Sequence, residues 1–179
     1  MIMERQTPPA WKRLFYPAMA GFFFGLLQTG LFFQLSFSLS SGFTTFLMVT
    51  LCWLAGSAIG LFLARKYQTG FKRFFASGLL AYFACILLLR LAPFETKLWP
   101  VYALLVVVMG LAPGVFFVRM AAYYPARDLF FRENNGFIAG LVGGTLLFLL
   151  TGRAALWFVP VLVAAILFLG SRDFLPARA

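Results

Sequence analysis

The sequence predicts an all-α integral membrane protein, built as a bundle of six transmembrane helices with both termini in the cytoplasm. Its 179 residues are 63% hydrophobic and only 11% charged, whereas a soluble domain has about 25% charged residues. The apolar residues form six runs, each long enough to approach the ~30 Å of a bilayer's hydrocarbon core. The basic residues lie between these runs, where they set the orientation of a membrane protein.

The chain begins with a polar and basic segment, residues 1–15, which we expect in the cytoplasm. The first apolar run is longer than the core of a signal peptide, and no small-residue cleavage motif follows it, so we predict a retained span. A membrane domain then covers residues 16–170, and residues 171–179 form a cytoplasmic tail. The predicted spans are residues 16–35, 44–64, 74–92, 98–118, 135–151 and 154–170.

The charges between the spans predict the orientation. With six spans, twelve of the fifteen Lys and Arg residues lie on the side of the termini, and three lie on the other. The three are Arg90, Lys97 and Arg153. Basic residues are enriched in cytoplasmic loops, so this split predicts cytoplasmic termini in a bacterial-type inner (plasma) membrane.

Small residues at four-residue spacing predict how the helices pack, because they allow two helix backbones to approach closely in a bilayer. The first five spans carry such stripes, and the sixth presents Trp157 and Phe158 instead, so we expect the sixth at the periphery. The glycines predicted to pack are Gly21, Gly25, Gly56, Gly60, Gly110, Gly114, Gly136, Gly140 and Gly144.

A charged turn is predicted between the fourth and fifth spans, with Pro125 interrupting any helix there. Its charged residues are Arg119, Arg127, Asp128, Arg132 and Glu133. Glu133 precedes the fifth span, where the helix amino end favours a negative charge. We expect Glu133 to pair with Arg119, or with Arg127 or Arg132 if the turn folds back.

The sequence has few residues suited to catalysis. It has no histidine, and its two cysteines, Cys52 and Cys85, both lie inside apolar runs. We therefore predict no enzyme activity and no metal or cofactor site, although a bound lipid or quinone is compatible with the composition. Gln28 and Gln34 in the first span either bond a neighbouring helix or line a small polar site. The basic clusters set membrane topology and do not indicate nucleic-acid binding.

Three motifs carry a family resemblance. They are the glycine-containing segment Gly110–Gly114, the run Glu133–Gly140, and the basic turn after Gly60 with Lys72 and Arg73. In these features the chain resembles the membrane domain of spermidine synthase-like multi-pass proteins, itself similar to half of a major facilitator transporter. The basic turn lacks the usual Asp, which weakens a transporter-gating interpretation. No residue of a synthase active site can be assigned by this resemblance.

These observations predict a non-catalytic integral membrane subunit or scaffold, with membrane lipids and other membrane subunits as partners, for example in a respiratory or electron-transfer complex. Two alternatives stay open: a half-facilitator-like transporter that acts as an oligomer, and a module that binds a lipid or quinone. A transporter should have polar residues from several helices around a central cavity, whereas a scaffold should have few internal polar groups. The sequence favours the scaffold pattern.

Overall fold

A computed structural model describes residues 10–39, 42–67 and 71–171, and within these ranges the chain is almost entirely α-helical, without strands. Most of the predicted end segments, 1–15 and 171–179, lie outside the described residues. The helices are α1 (Ala10–Ser38), α2 (Phe43–Lys66), α3 (Phe71–Leu91), α4 (Trp99–Met120), α5 (Ala126–Thr151) and α6 (Ala155–Gly170). The all-α prediction is confirmed.

Five segments of the described chain are long and apolar enough to cross a membrane, as expected of a multi-pass membrane protein. The last of them, Ala126–Gly170, contains both α5 and α6. A single turn of 3-10 helix, Gly152–Ala154, joins these two helices. Gly152 has a φ of 69°, in the left-handed region that glycine adopts at little cost, so the chain can change direction there.

Two parallel helix pairs, α1 with α5 and α2 with α4, make the most extensive contacts in the bundle. In the first pair, Gly21 lies against the carbonyl of Glu133, and Gly136 against the carbonyl of Ala18. In the second pair the same arrangement brings Gly56 against Val107, and Gly114 against Ser57. Both pairs therefore meet through glycines four residues apart, with no side chain between the backbones at these points.

The aromatic core lies where α1 meets α3 and α4. Phe23 and Phe24 of α1 are fully buried and contact Phe75 of α3, with ring centroids 5.6 and 5.2 Å away. Phe116 of α4 completes the cluster at 5.9 Å from Phe24. These four phenylalanines thus stabilise contacts inside the chain, whereas others, such as Phe62 and Phe158, are exposed.

Helix α6 runs antiparallel to α1 and packs more closely than the sequence predicts. Near its start, the hydroxyl of Tyr82 donates to the carbonyl of Leu156 at 2.9 Å. Near its end, the hydroxyl of Tyr16 donates to the carbonyl of Leu167 at 3.4 Å. The sixth span has no glycine stripe, but Pro160 and Ala164 provide a buried face for it. The predicted peripheral position therefore describes only its outer face.

Helix α5 begins earlier than the sequence predicts, and this changes the interpretation of the charged turn. The helix starts at Ala126, immediately after Pro125, rather than at residue 135. Proline readily precedes the first turn of a helix, and Asp128 lies in the first turn, where its charge is favourable. The non-helical connection between α4 and α5 is consequently only residues 121–125.

Candidate functional site

The two glycine-packed pairs border a cavity of about 880 Å³ that is open on one side. Residues from α1, α2, α4 and α5 line it, and α2 and α5 are not packed against each other on its open side. The lining is mainly apolar and rich in aromatic rings: Phe32, Phe33, Phe46, Trp53, Phe117, Phe130 and Phe137. A cavity of this size and composition is typical of sites that bind a small apolar or amphiphilic molecule.

An aromatic pair lies at each end of the cavity. At the end formed by the α1–α2 connection, the rings of Phe32 and Phe46 meet edge to face, with centroids 6.2 Å apart. At the opposite end, Phe117 of α4 and Phe130 of α5 lie 6.2 Å apart. These contacts link helices that the glycine pairs do not join, and they bound the cavity along its length.

Polar side chains from three helices face this cavity. Gln28 and Thr29 come from α1, Thr50 and Ser57 from α2, and Glu133, Asn134 and Thr145 from α5. The Ser57 hydroxyl lies 3.0 Å from the carbonyl of Trp53 and 3.1 Å from that of Gly110, so its proton is used within the α2–α4 pair. The Thr145 hydroxyl similarly donates to Leu141. The cavity therefore has more polar lining than the sequence predicts.

Glu133 lies inside the bundle and not at its surface. Its side chain is only 6% exposed, and its carbonyl contacts Gly21. Gly21 follows Leu14, where the apolar segment of α1 begins, by two helical turns or about 10 Å along the axis. The backbone of Glu133 is thus placed well below the end of the apolar segment, because the residues predicted as a turn form the first two turns of α5.

The predicted ion pair of Glu133 does not form. The Arg119 guanidinium donates to the carbonyl of Tyr67 at 2.6 Å, and that of Arg132 donates to the carbonyl of Leu14 at 3.3 Å. Arg127 and Asp128 are exposed at the start of α5. Within the described residues, no arginine or hydrogen-bond donor pairs with Glu133, so the pairing prediction is wrong.

The two glutamines of α1 do not share a site. Gln28 lines the cavity, whereas Gln34 is 4% exposed and lies elsewhere in the bundle. The two residues are six positions apart on α1, which is well over one helical turn, so their side chains point to different sides of the helix. Within the described residues, Gln28 Oε1 and Gln34 Nε2 are buried without a hydrogen-bond partner.

Ser57, Thr145 and Trp53 also line the cavity, and none of them was predicted as a site residue. Ser57 stands between two packing glycines, which was the available signal that it faces a neighbouring helix. The described residues contain no cluster of three His, Cys, Asp or Glu side chains that could hold a metal ion. Cys52 and Cys85 are free thiols.

No protein-family model, curated protein or solved structure matches this chain. The resemblance to the membrane domain of spermidine synthase-like proteins therefore stays a prediction from short motifs. The residues that line the cavity are therefore the main indication of function.

Proposed function

We propose that this chain is a non-catalytic, six-span membrane module of a bacterial-type inner membrane that binds an amphiphilic, lipid- or quinone-like molecule in the cavity between its two helix pairs. The observation that carries this proposal is the position of Glu133, Gln28 and Ser57 on three helices around one aromatic cavity. A bundle interior serving only as a scaffold has no need for polar groups in such a cavity, since each costs free energy when buried.

The route into the cavity supports the same proposal. Helices α2 and α5 both line it but do not pack against each other. Leu54, which lines the cavity on α2, and Val142, on the outer face of α5, are exposed and apolar. An amphiphilic molecule dissolved in the bilayer can therefore reach the cavity sideways between these helices. Such a molecule keeps its apolar part in an apolar medium throughout.

Filling the cavity tests this function. Thr145→Phe adds a ring to the α5 wall of the cavity, and Val142→Phe adds the same ring on the exposed face of α5. Each protein is purified in mild detergent, and the amphiphiles that it retains are extracted and quantified by mass spectrometry. We expect Thr145→Phe to retain less than about half of the parent's amount and Val142→Phe to retain all of it. Equal retention by all three proteins would contradict the proposal.

Transport is a second candidate, favoured by the aromatic pairs at both ends of the cavity. Opening one pair at a time would expose the cavity alternately to the two sides of the membrane, as in a half-facilitator-like oligomer. Uptake of the bound amphiphile into sealed proteoliposomes, measured beside binding, separates transport from binding alone.

A role as a subunit or scaffold of a membrane complex is a further proposal, and it is compatible with ligand binding. Only 22% of the apolar window of α2 is buried within the chain, which leaves a wide face for lipid or for another subunit. Isolation in mild detergent, followed by identification of stoichiometric partners, tests it.

A further inference from the structure

Glu133 is the one ionisable side chain among the described residues that line the cavity. Of the acidic residues described, Glu95 and Asp128 are exposed, whereas Glu133 is 6% exposed. The arginines closest in sequence, Arg127 and Arg132, do not pair with it. A buried carboxylate without a counter-charge is strongly destabilising in an apolar medium, so Glu133 is either neutral when no ligand is bound or charged beside a positive partner that the described residues do not supply.

The surroundings of Glu133 add two features that a positive charge can use. Trp53, Phe117 and Phe130 line the same cavity, and aromatic faces attract cations when water is excluded. Phe46 of α2 lies beside Phe32 of α1. Because the two helices are antiparallel, eleven residues forward along α2 from this contact is Ser57, and eleven residues back along α1 is Gly21. Since Gly21 packs against the backbone of Glu133, Ser57 lies at about the level of that residue, with its proton already donated to backbone carbonyls.

Apart from Glu133, the polar side chains of the described lining are uncharged, and the amides of Gln28 and Asn134 carry donors as well as acceptors. Gln28 Oε1 is buried without a partner in the described part of the chain and is not accessible from the cavity, and Ser57 lines the cavity with its hydroxyl bonded to backbone carbonyls. Two arginines near this end of the bundle, Arg119 and Arg132, donate to backbone carbonyls outside the cavity, at Tyr67 and Leu14. Among the described residues, the lining therefore has one acidic side chain and no basic one in an aromatic setting, which favours a positive ligand.

We infer that the ligand of this cavity is a cationic amphiphile, with its single positive charge beside Glu133 and its apolar body among the aromatic side chains toward Phe32 and Phe46. This inference rests on the proposed binding function and adds the sign of the ligand's charge. The sign is informative because the chain carries a net charge of +10, so its overall field attracts anions.

Binding of two hydrophobic ions of similar shape and opposite charge tests the inference. The probes are tetraphenylphosphonium and tetraphenylborate, measured by equilibrium dialysis against the purified full chain in a nonionic detergent, with protein-free micelles subtracted. We expect the phosphonium to bind saturably and the borate not to bind. Glu133→Gln should weaken phosphonium binding at least about tenfold, because it removes one partner of a buried charge pair.

Asp128→Asn is the matched control, since it removes the same charge from an exposed position five residues earlier on α5. It should bind the phosphonium as the parent does, and both variants should elute like the parent and unfold cooperatively. If Glu133→Gln binds as tightly as the parent while Thr145→Phe abolishes binding, the charge inference is overturned and the binding function stands. Saturable borate binding by the parent would also overturn the charge inference. If neither ion binds and Thr145→Phe also retains its amphiphiles, the binding function fails as well.

Discussion

Gly140 of α5 packs against the backbone of α1 with no side chain between them. A Cβ added there would fall on the carbonyl of Phe22 and lie 3.0 Å from the amide nitrogen of Leu26. Backbone atoms of a packed helix cannot rotate away as a flexible side chain can. Gly143 differs, because a Cβ at that position would meet only the ring of Phe22, at 3.2 Å.

Gly140→Leu should therefore destabilise the bundle, by about 3 kcal/mol or more, since overpacking of this kind forces the backbones apart. For a chain of this size the melting temperature in detergent should fall by about 6–12 °C. Ala139→Leu is the control, because Ala139 is the exposed neighbour on the same helix. A Gly140→Leu variant that melts like the parent would show that α1 and α5 do not meet at this point.

At the scale of a helix, Pro160 explains why a tyrosine of α3 bonds to the backbone of α6. Proline has no N–H, so the carbonyl four residues earlier loses its helical hydrogen bond. That carbonyl belongs to Leu156, which is fully buried, and the Tyr82 hydroxyl donates to it. The proline in α6 and the tyrosine in α3 thus form one structural unit.

Tyr82→Phe should cost about 0.5–1.5 kcal/mol, the net value of one hydrogen bond. The cost should shrink in a Pro160→Ala background, because an N–H at position 160 can then bond the Leu156 carbonyl. Tyr102→Phe is the control, since the buried Tyr102 hydroxyl has no partner among the described residues. Melting temperatures of the four proteins of this double-mutant cycle measure the coupling, and purely additive effects would contradict it.

The two neighbouring bulky residues of α6, Trp157 and Phe158, have different surroundings. Trp157 packs on Phe83 with ring centroids 6.0 Å apart and carries the Arg90 guanidinium over its ring at 4.2 Å. Phe158 is 74% exposed. Both residues were predicted to face outward. On a membrane helix that is apolar on all sides, the sequence pattern does not distinguish the inner face from the outer one.

The same limit explains which parts of the site could be predicted. Apolar length and composition are sufficient to predict the helical class, and glycine spacing indicates packing faces such as Gly21 with Gly25. The depth of Glu133 was missed because helical register decides it: nine residues assigned to a turn form the start of α5. The cavity depends on which helices pair, and local sequence patterns do not specify partners.

Across the whole molecule, the contacts of the basic residues place them at the two opposite ends of the bundle. Arg119 bonds Tyr67, which follows Arg65 and Lys66, and Arg132 bonds Leu14 at the same end. At the opposite end, Arg90 lies over Trp157 and Arg153 over Phe37. The larger group is at the end where α1 begins, and this supports cytoplasmic termini.

Labelling of single cysteines tests this orientation and the number of spans together. In a Cys52→Ala, Cys85→Ala background, cysteine replaces Tyr67, Thr96 or Ala154 in turn, and all three positions are exposed. Six spans with cytoplasmic termini predict that a membrane-impermeant maleimide labels positions 96 and 154 on intact cells, and position 67 only after permeabilisation. If 126–170 crossed as one span, position 154 would lie in the hydrocarbon and resist labelling in both conditions. Labelling of position 67 alone on intact cells would reverse the orientation and place Glu133 in the outer half of the membrane instead of the cytoplasmic half.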